Sequence, residues 1–421
     1  MAMAILSKSS SARIRSRWLD FGLAVSVCLG AVEPGRTTPF TPSDDHQVLE
    51  RLPAKTSSAD LLILRRARAA LTNDPENLQT SLRLARDYIA KSRAESDPRY
   101  LGYAQATLAP WWDSPDPPVD ILVLRATIRQ SNHDFDNALA DLAKALKADP
   151  ANGQAWLTRA TILQVLGEYD DAKRACLPLW RLASELITVT CASSIASLSG
   201  EAARSYELLD RTLERNFNAA ASERLWALTV LAEIAVRLGR DTEAESYFRR
   251  ALALELRDGY LLGAYADFLL DHDRPTEVTD LLKDETRVDG LLLRVTLAEK
   301  SLRPQPAAFT AHGSALRERF AASRQRGDKV HRREEARFTL HLLNQPKEAL
   351  RLAKENWTIQ REPADARILL ESALAAKDPA SARPVMDSLE KNHLEDLELA
   401  KLASQFNTGF GVPPSGGRKP K

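Results

Sequence analysis

The side chains able to do chemistry are present but not gathered. Seven histidines stand at His46, His133, His272, His312, His331, His341 and His393. No two have the i, i+4 spacing that sets a pair of imidazoles on one helical face for zinc. A zinc site needs three or four converging ligands, so the histidines read as solvated polar residues. His133 and His272 each precede an aspartate at a turn between helices. No glycine-rich run cradles a phosphate, because Gly167 and Gly200 are isolated turn glycines. Carboxylates are many, but on helices they face water or pair with cations three or four positions away. No acid–base pair stands at a useful spacing. The expectation is therefore a chain without catalytic residues, cofactor or metal.

Two further groups of residues bear on redox chemistry and charge. Cys176 and Cys191 could pair in an oxidising compartment, but the favoured reading is two buried thiols filling small gaps, since free cysteine packs as a small hydrophobe. Between Arg317 and Arg337 eight Lys or Arg face four Asp or Glu. A basic patch for an acidic peptide, lipid head group or nucleic acid is one reading. The favoured one is a solvated helix face with internal pairs, such as Glu334 or Glu335 with nearby arginines. Phe320 and Phe338 there read as core rather than as base-stacking residues. With a net charge of +1 the chain has no global field for polyanions, so no nucleic acid is expected.

The elements that position these residues are helices. Apolar and small residues recur at spacings of three and four, which gives one buried stripe per helix, and alternating β-branched runs are nearly absent. An apolar fraction of 44% and a charged fraction of 27% are those of an ordinary soluble protein. Polar turns such as Asn132-His133-Asp134, Leu166-Gly167-Glu168 and Gly239-Arg240-Asp241 interrupt the stripes. Asp149-Pro150 and Asn73-Asp74-Pro75 separate larger units, since proline disfavours helix in the residue before it.

Those units repeat. One segment reads Leu122-x-x-Arg125-Ala126, then Asp134-Phe135-x-x-Ala138-x-x-x-Leu142-x-x-Ala145; the next reads Trp156-x-x-Arg159-Ala160, then Gly167-Glu168-Tyr169-x-x-Ala172-x-x-x-Cys176. A third reads Leu228-x-x-Leu231-Ala232, Gly239, then Ala244-x-x-x-Phe248-x-x-Ala251. Ala126 to Ala160, Ala138 to Ala172 and Ala232 to Ala266 are each 34 residues. Two amphipathic helices per unit cannot bury both faces alone, so neighbours must stack.

This pattern resembles the tetratricopeptide repeat family, a helix-turn-helix of 34 residues. Arg125 and Arg159 stand where leucine is usual, and alanine where glycine is common. The resemblance implies an all-α, right-handed superhelical solenoid of antiparallel helix pairs, with seven or eight units. Its divisions are expected as a signal peptide or anchor over 1–32, a linker over 33–57 and the repeat array over 58–300. An irregular connection with a basic helix follows over 301–329, then repeat-like pairs over 330–406 and a disordered tail over 407–421.

The leader has a basic start at Lys8, Arg13, Arg15 and Arg17 and an apolar run from Phe21 to Val32, with cleavage placed after Gly30 or Ala31. Val27 before Cys28 argues against a lipid-modified cysteine. A run of 12 is short for a membrane span, which needs about 20 residues. Export to a periplasm, or attachment to a membrane through the N-terminus, is the expectation, with a cytoplasmic protein as the alternative.

In the family the first helix of each unit lines a concave groove that takes extended or helical peptides. Carried over, the groove holds Asp120, Val123, Thr127, Gln130, Gln154, Thr161, Gln164, Glu233, Arg237, Tyr260 and Asp267. A lysine–asparagine clamp for a terminal carboxylate is missing: its places hold Leu82 and Arg86, Val123 and Thr127, Leu157 and Thr161. The resulting expectation is an interaction scaffold with a protein or peptide partner, assisting assembly of a cell-envelope complex. A self-associating structural protein and an enzyme accessory subunit are the alternatives.

Overall fold

The computed structural model describes residues 59–325, 327 and 330–409, and these are helices and turns. The expected leader and linker lie outside the described residues. Single helix α1 (Ala59–Asn73) is followed by α2 (Leu78–Glu95) with α3 (Arg99–Thr107) and its short extension α4 (Ala109–Trp112). Next come α5 (Val119–Ser131) with α6 (Phe135–Ala148), and α7 (Gly153–Val165) with α8 (Tyr169–Cys176) and the one-turn α9 (Leu179–Leu182). The middle pairs are α10 (Glu185–Ala196) with α11 (Ala202–Arg215), α12 (Ala221–Arg237) with α13 (Asp241–Leu252), and α14 (Gly259–Asp271) with α15 (Pro275–Leu281). The last are α16 (Asp289–Ser301) with α17 (Ala308–Gln325), α18 (Arg332–His341) with α19 (Pro346–Trp357), and α20 (Pro363–Ala376) with α21 (Arg383–Asn392), before the single α22 (Leu397–Gly409). The described residues thus hold nine pairs rather than seven or eight. The extra one comes from α17, an 18-residue helix packed on α16, where an irregular connection with an unpaired basic helix was expected.

The small residues of the sequence repeat sit where helices cross. Ala126, Ala138, Ala160, Ala172, Ala232, Ala244 and Ala266 are wholly buried, which lets the backbones approach closely. The first helix of most pairs ends in the same way. Residues Ser96, His133, Gly167, Gly200, Gly239, Asp273 and Lys377 take positive φ. The amide after each reaches back to a carbonyl in the helix, as Asp134 does to Arg129, Glu168 to Leu163, Arg240 to Ala235 and Asp378 to Ala373. This left-handed cap satisfies carbonyls that a helix end leaves open, and it is the physical content of the polar turns read from the sequence.

Arg125 fills its unusual place by making a buried pair. It is 4% exposed, donates from Nε and Nη2 to the two carboxylate oxygens of Asp141 at 2.8 and 2.7 Å, and donates again to the carbonyl of Ser114. Asp141 also accepts from Arg129 at 2.6 Å. Where the repeat expects leucine, an ion pair ties α5 to α6.

The cysteines correct the sequence reading. Cys176 at the end of α8 and Cys191 within α10 are joined as a disulfide, with Cα atoms 6.1 Å apart. Their buried neighbours Leu179 and Leu186 belong to the same core. Stacking of successive units brings the two backbones within bridging range, which residue spacing could not show.

In the basic cluster the internal pairs of the favoured reading form, but the face is not a solvated one: Glu335 is buried and Arg333, Glu334 and Arg337 are half-buried. Arg333 meets Glu334 and Arg324 meets Glu335. Beyond these local pairs, Arg319 reaches Asp289, Arg332 reaches Glu355 and Arg337 reaches Asp267. Arg319 and Arg332 tie the two helices of one pair together, whereas Arg324 and Arg337 reach residues of other pairs.

Candidate functional site: a concave face closed by its own coil

The array is wound so tightly that its turns touch. Turns inside early units meet turns between late units. Gln360 donates to the imidazole of His133 at 3.1 Å. The amide of Arg361 donates to the carbonyl of Val165 at 2.8 Å, satisfying an oxygen left open at the end of α7. A Cβ on Gly167 would stand 3.3 Å from that of Arg361, and its φ is +76°, so both the approach and the cap require glycine. Further along, His393 packs on Gly200 and Leu397 on Gly239. Glu395 accepts from the Ala202 amide at 2.6 Å, a carboxylate at the positive end of α11. On the other side of the coil Ser96 packs on Gly259, and Arg257 donates to the carbonyl of Ala94.

His133 and His272 therefore part ways. His272 is an exposed turn residue paired to Asp241 at 3.2 Å, as expected. His133 is covered by Gln360 and stacked on Phe135 with centroids 5.4 Å apart. Burial, with Arg333 nearby, pushes its imidazole down to about 4, so it is neutral at pH 7 and free to accept. The expectation of a solvated polar residue fails there because a distant turn lies over it.

The concave face holds a cavity of about 920 Å³ that is half open to solvent. Of the groove residues carried over from the sequence, Gln130, Thr161, Gln164, Glu233, Arg237, Tyr260 and Asp267 line it together. Four do not. Asp120 is exposed on the first turn of α5 and pairs with Arg86 at 2.8 Å. Val123 and Thr127 are buried between helices, the Thr127 hydroxyl donating to the Val123 carbonyl at 2.8 Å. Gln154 is exposed at the start of α7. The units before Gln130 contribute nothing to the lining.

One wall is polar and built from neighbouring first helices. Ser194 donates to Gln164 at 3.1 Å, and Arg237 donates to Ser197 at 2.7 Å. The Oε1 of Gln130 and the Nε of Arg237 are buried with no hydrogen-bond partner. Neither atom is open to the cavity as placed, so each would meet an entering group only after its side chain turns. Trp226, Val230, Leu291 and Leu297 supply apolar wall.

The opposite wall is a ladder of ion pairs. Asp267 accepts from Arg294 at 2.5 Å and from Arg337 at 2.6 Å. Burial alone would raise its carboxyl; the two guanidinium groups more than offset that and hold it well below the usual range. Glu371 is likewise raised by burial but brought down to about 2 by His341 and Arg367. Tyr260 donates to Glu233, and burial pushes the phenol well up and the carboxyl up as well. Tyr260 still shows 46% of its surface to the water in the cavity. Arg294, Arg337, Arg367 and Glu371 were missed by the sequence reading, which carried first-helix positions forward only as far as Asp267 in α14. Continuing that face through α16, α18 and α20 would have found them.

Tetratricopeptide-repeat family models match residues 130–183 and 227–258. Over these two stretches the chain is similar to tetratricopeptide repeats. No curated protein matches it. Among 36 matching solved chains is the crystal structure of the P58(IPK) TPR domain. That domain is 16% identical, and the match covers 78% of this chain and 97% of that one at a TM-score of 0.23. Such a score does not carry the winding of one coil over to the other. The matched stretches hold Gln130, Thr161 and Gln164 in one case and Glu233 and Arg237 in the other, while Ser194 and Ser197 of the same wall lie between them.

Proposed function

We propose that this repeat protein holds an extended segment of a partner protein inside its closed concave face. Tetratricopeptide repeats serve protein–protein interaction as a class, and the finer reading rests on one observation. Seven groove residues from separate first helices line a single cavity whose size falls within the roughly 300–1,000 Å³ of ligand sites. The amides of Gln130 and Gln164 and the guanidinium of Arg237 bring donors and acceptors of the kind a peptide backbone pairs with. Because the acids and bases of the opposite wall neutralise one another, a neutral or mixed segment suits it better than a strongly charged one.

The compartment belongs to the same proposal. A disulfide persists in an oxidising environment, which supports export under the leader and a place in a cell envelope, where the scaffold would assist assembly of a complex. Among the described residues no helix is long and apolar enough to cross a membrane, so attachment would rest on the N-terminal segment. No enzymatic role is proposed, since the cavity presents paired charges rather than a free nucleophile with its base.

The test is a photoreactive phenylalanine placed at Thr161, inside the cavity, or at Arg204, on the outer face. Crosslinking in native envelope extract should join one or two proteins at the first site and none at the second. The product should vanish when Gln130, Gln164 and Arg237 are all changed to Glu in a chain that keeps its helical circular dichroism. Equal crosslinking at both sites sinks the cavity reading. Products made only of this chain favour self-association instead.

A further inference from the structure

Between α19 and α20 the chain leaves the helix over residues 358–362 and lies across turns of units far earlier in the sequence. Trp357, at the end of α19, packs in the C-terminal core, whereas Ile359 packs against the core shared by α5, α6 and α7. Gln360 is 5% exposed and gives its side-chain donor to His133 of the α5–α6 turn. The Arg361 amide donates to Val165 at the end of α7, and its side-chain stem lies against Gly167 of the α7–α8 turn. Three successive residues thus place an apolar side chain, an amide side chain and a backbone amide on one edge of the early units.

That edge is shaped to receive a non-helical chain. The Val165 carbonyl is open because a helix ends there. His133 is neutral and accepts through Nδ1. Gly167, at φ +76°, has no Cβ to hold a segment away. One repeat further on the arrangement recurs between α21 and α22. His393 lies against Gly200 of the α10–α11 turn, Glu395 accepts from the Ala202 amide, and Leu394 packs against both the central and the C-terminal cores. Two of the chain's own inter-unit segments therefore sit on successive turns in the same manner.

We propose that the α5–α6 and α7–α8 turns form a peptide-docking edge for a non-helical segment in which an apolar residue directly precedes glutamine, and that residues 359–361 occupy it in cis until a partner protein carrying such a segment displaces them. The edge is separate from the cavity wall. Its ligand groups are His133, the Val165 carbonyl and the apolar core of α5 to α7, not Gln164 and Arg237. A segment tethered in the same chain competes at an effective concentration of about millimolar, so the resting edge is shut to weakly fitting peptides.

Fluorescence anisotropy of a fluorescein-labelled peptide of residues 356–364, titrated with the full chain, tests this. Ile359→Asp with Gln360→Ala vacates the edge, and that chain should bind the peptide at least about tenfold tighter than the wild type. A peptide bearing the same two changes should bind neither chain. Adding His133→Ala to the vacated chain should remove the binding, whereas adding Gln164→Glu and Arg237→Glu should leave it. If the double variant loses its helical circular dichroism, Gln360→Ala alone should still bind the peptide tighter than the wild type. Equal affinity for vacated and wild-type chains overturns the proposal. Binding unchanged by His133→Ala, or lost with Gln164→Glu and Arg237→Glu, overturns it too and in the second case places the peptide in the cavity. A wild-type dimer that the vacated chain cannot form would put a second copy's segment on the edge and overturn occupancy in cis.

Discussion

Arg367 on α20 grips Asp271 at the end of α14 with two parallel hydrogen bonds, Nη1 to Oδ2 at 2.6 Å and Nη2 to Oδ1 at 2.8 Å. The two residues are 96 apart in sequence, and the fork joins the C-terminal pair to the middle of the array across the cavity. The same guanidinium donates to Glu371 at 2.8 Å, which accepts from His341 at 2.9 Å.

Asp271→Asn should loosen the coil without unfolding it. The pair is partly solvated, so its loss should cost only about 1 kcal/mol of overall stability. Its effect on winding should be larger. Hydrogen exchange at the Arg361 amide, which donates to Val165, should accelerate, and small-angle scattering should show a larger radius of gyration. An unchanged radius and unchanged protection would mean that the turn-to-turn contacts hold the coil closed by themselves.

The Arg125–Asp141 pair makes the opposite prediction about size. Both side chains are about 5% accessible or less, so Asp141→Ala leaves a guanidinium buried with too few acceptors. The expected cost is about 3–5 kcal/mol in urea unfolding. Replacing both residues by leucine, the residue usual at the first position, should recover most of that loss, because the charges have then gone together.

Removing the disulfide should weaken the α8–α10 junction. The bridge closes a loop of 15 residues, for which chain entropy suggests about 3 kcal/mol. Cys176→Ala with Cys191→Ala should lower the urea midpoint, and a reductant should lower that of the wild-type chain but not that of the variant. If reductant leaves the wild type unchanged, the bridge does not form in solution.

Glu371 gives a pH window. Its folded carboxyl titrates at about 2 against an ordinary value of 4.5. A depressed carboxyl contributes stability that is present above 4.5 and is lost as pH falls from there through about 2. Glu371→Gln should therefore flatten the fall in stability over that range, by on the order of 2–3 kcal/mol, with little change in slope above pH 5. Urea midpoints taken at half-unit pH intervals would read this directly.

Much of the fold was legible because a repeat states each local rule many times. The alanines at 34-residue spacing, the polar turns and the prolines between units all mark helix crossings, caps and boundaries, and each took its expected place. The broken register near Arg303 hid the pairing of the expected basic helix, α17, with α16, and one pair went uncounted. The site was half legible. Gln130, Thr161, Gln164, Glu233, Arg237, Tyr260 and Asp267 converge because first helices of stacked units share a face. Asp120, Val123 and Thr127 fall away because the enclosed stretch begins only near the end of α5, and Gln154 because it stands exposed on the first turn of α7.

What the sequence determined by itself is what depends on near neighbours: helix, turn, pair and the stacking of one pair on the next. Periodicity encodes those, since each contact lies within one or two repeats. What only the tertiary structure decided is everything that joins distant units. Small rotations per unit accumulate along a solenoid, and whether they sum to a closed coil is a property of the whole chain. That sum places Arg361 on Val165, covers His133, pairs Arg367 with Asp271 and turns an open groove into a chamber.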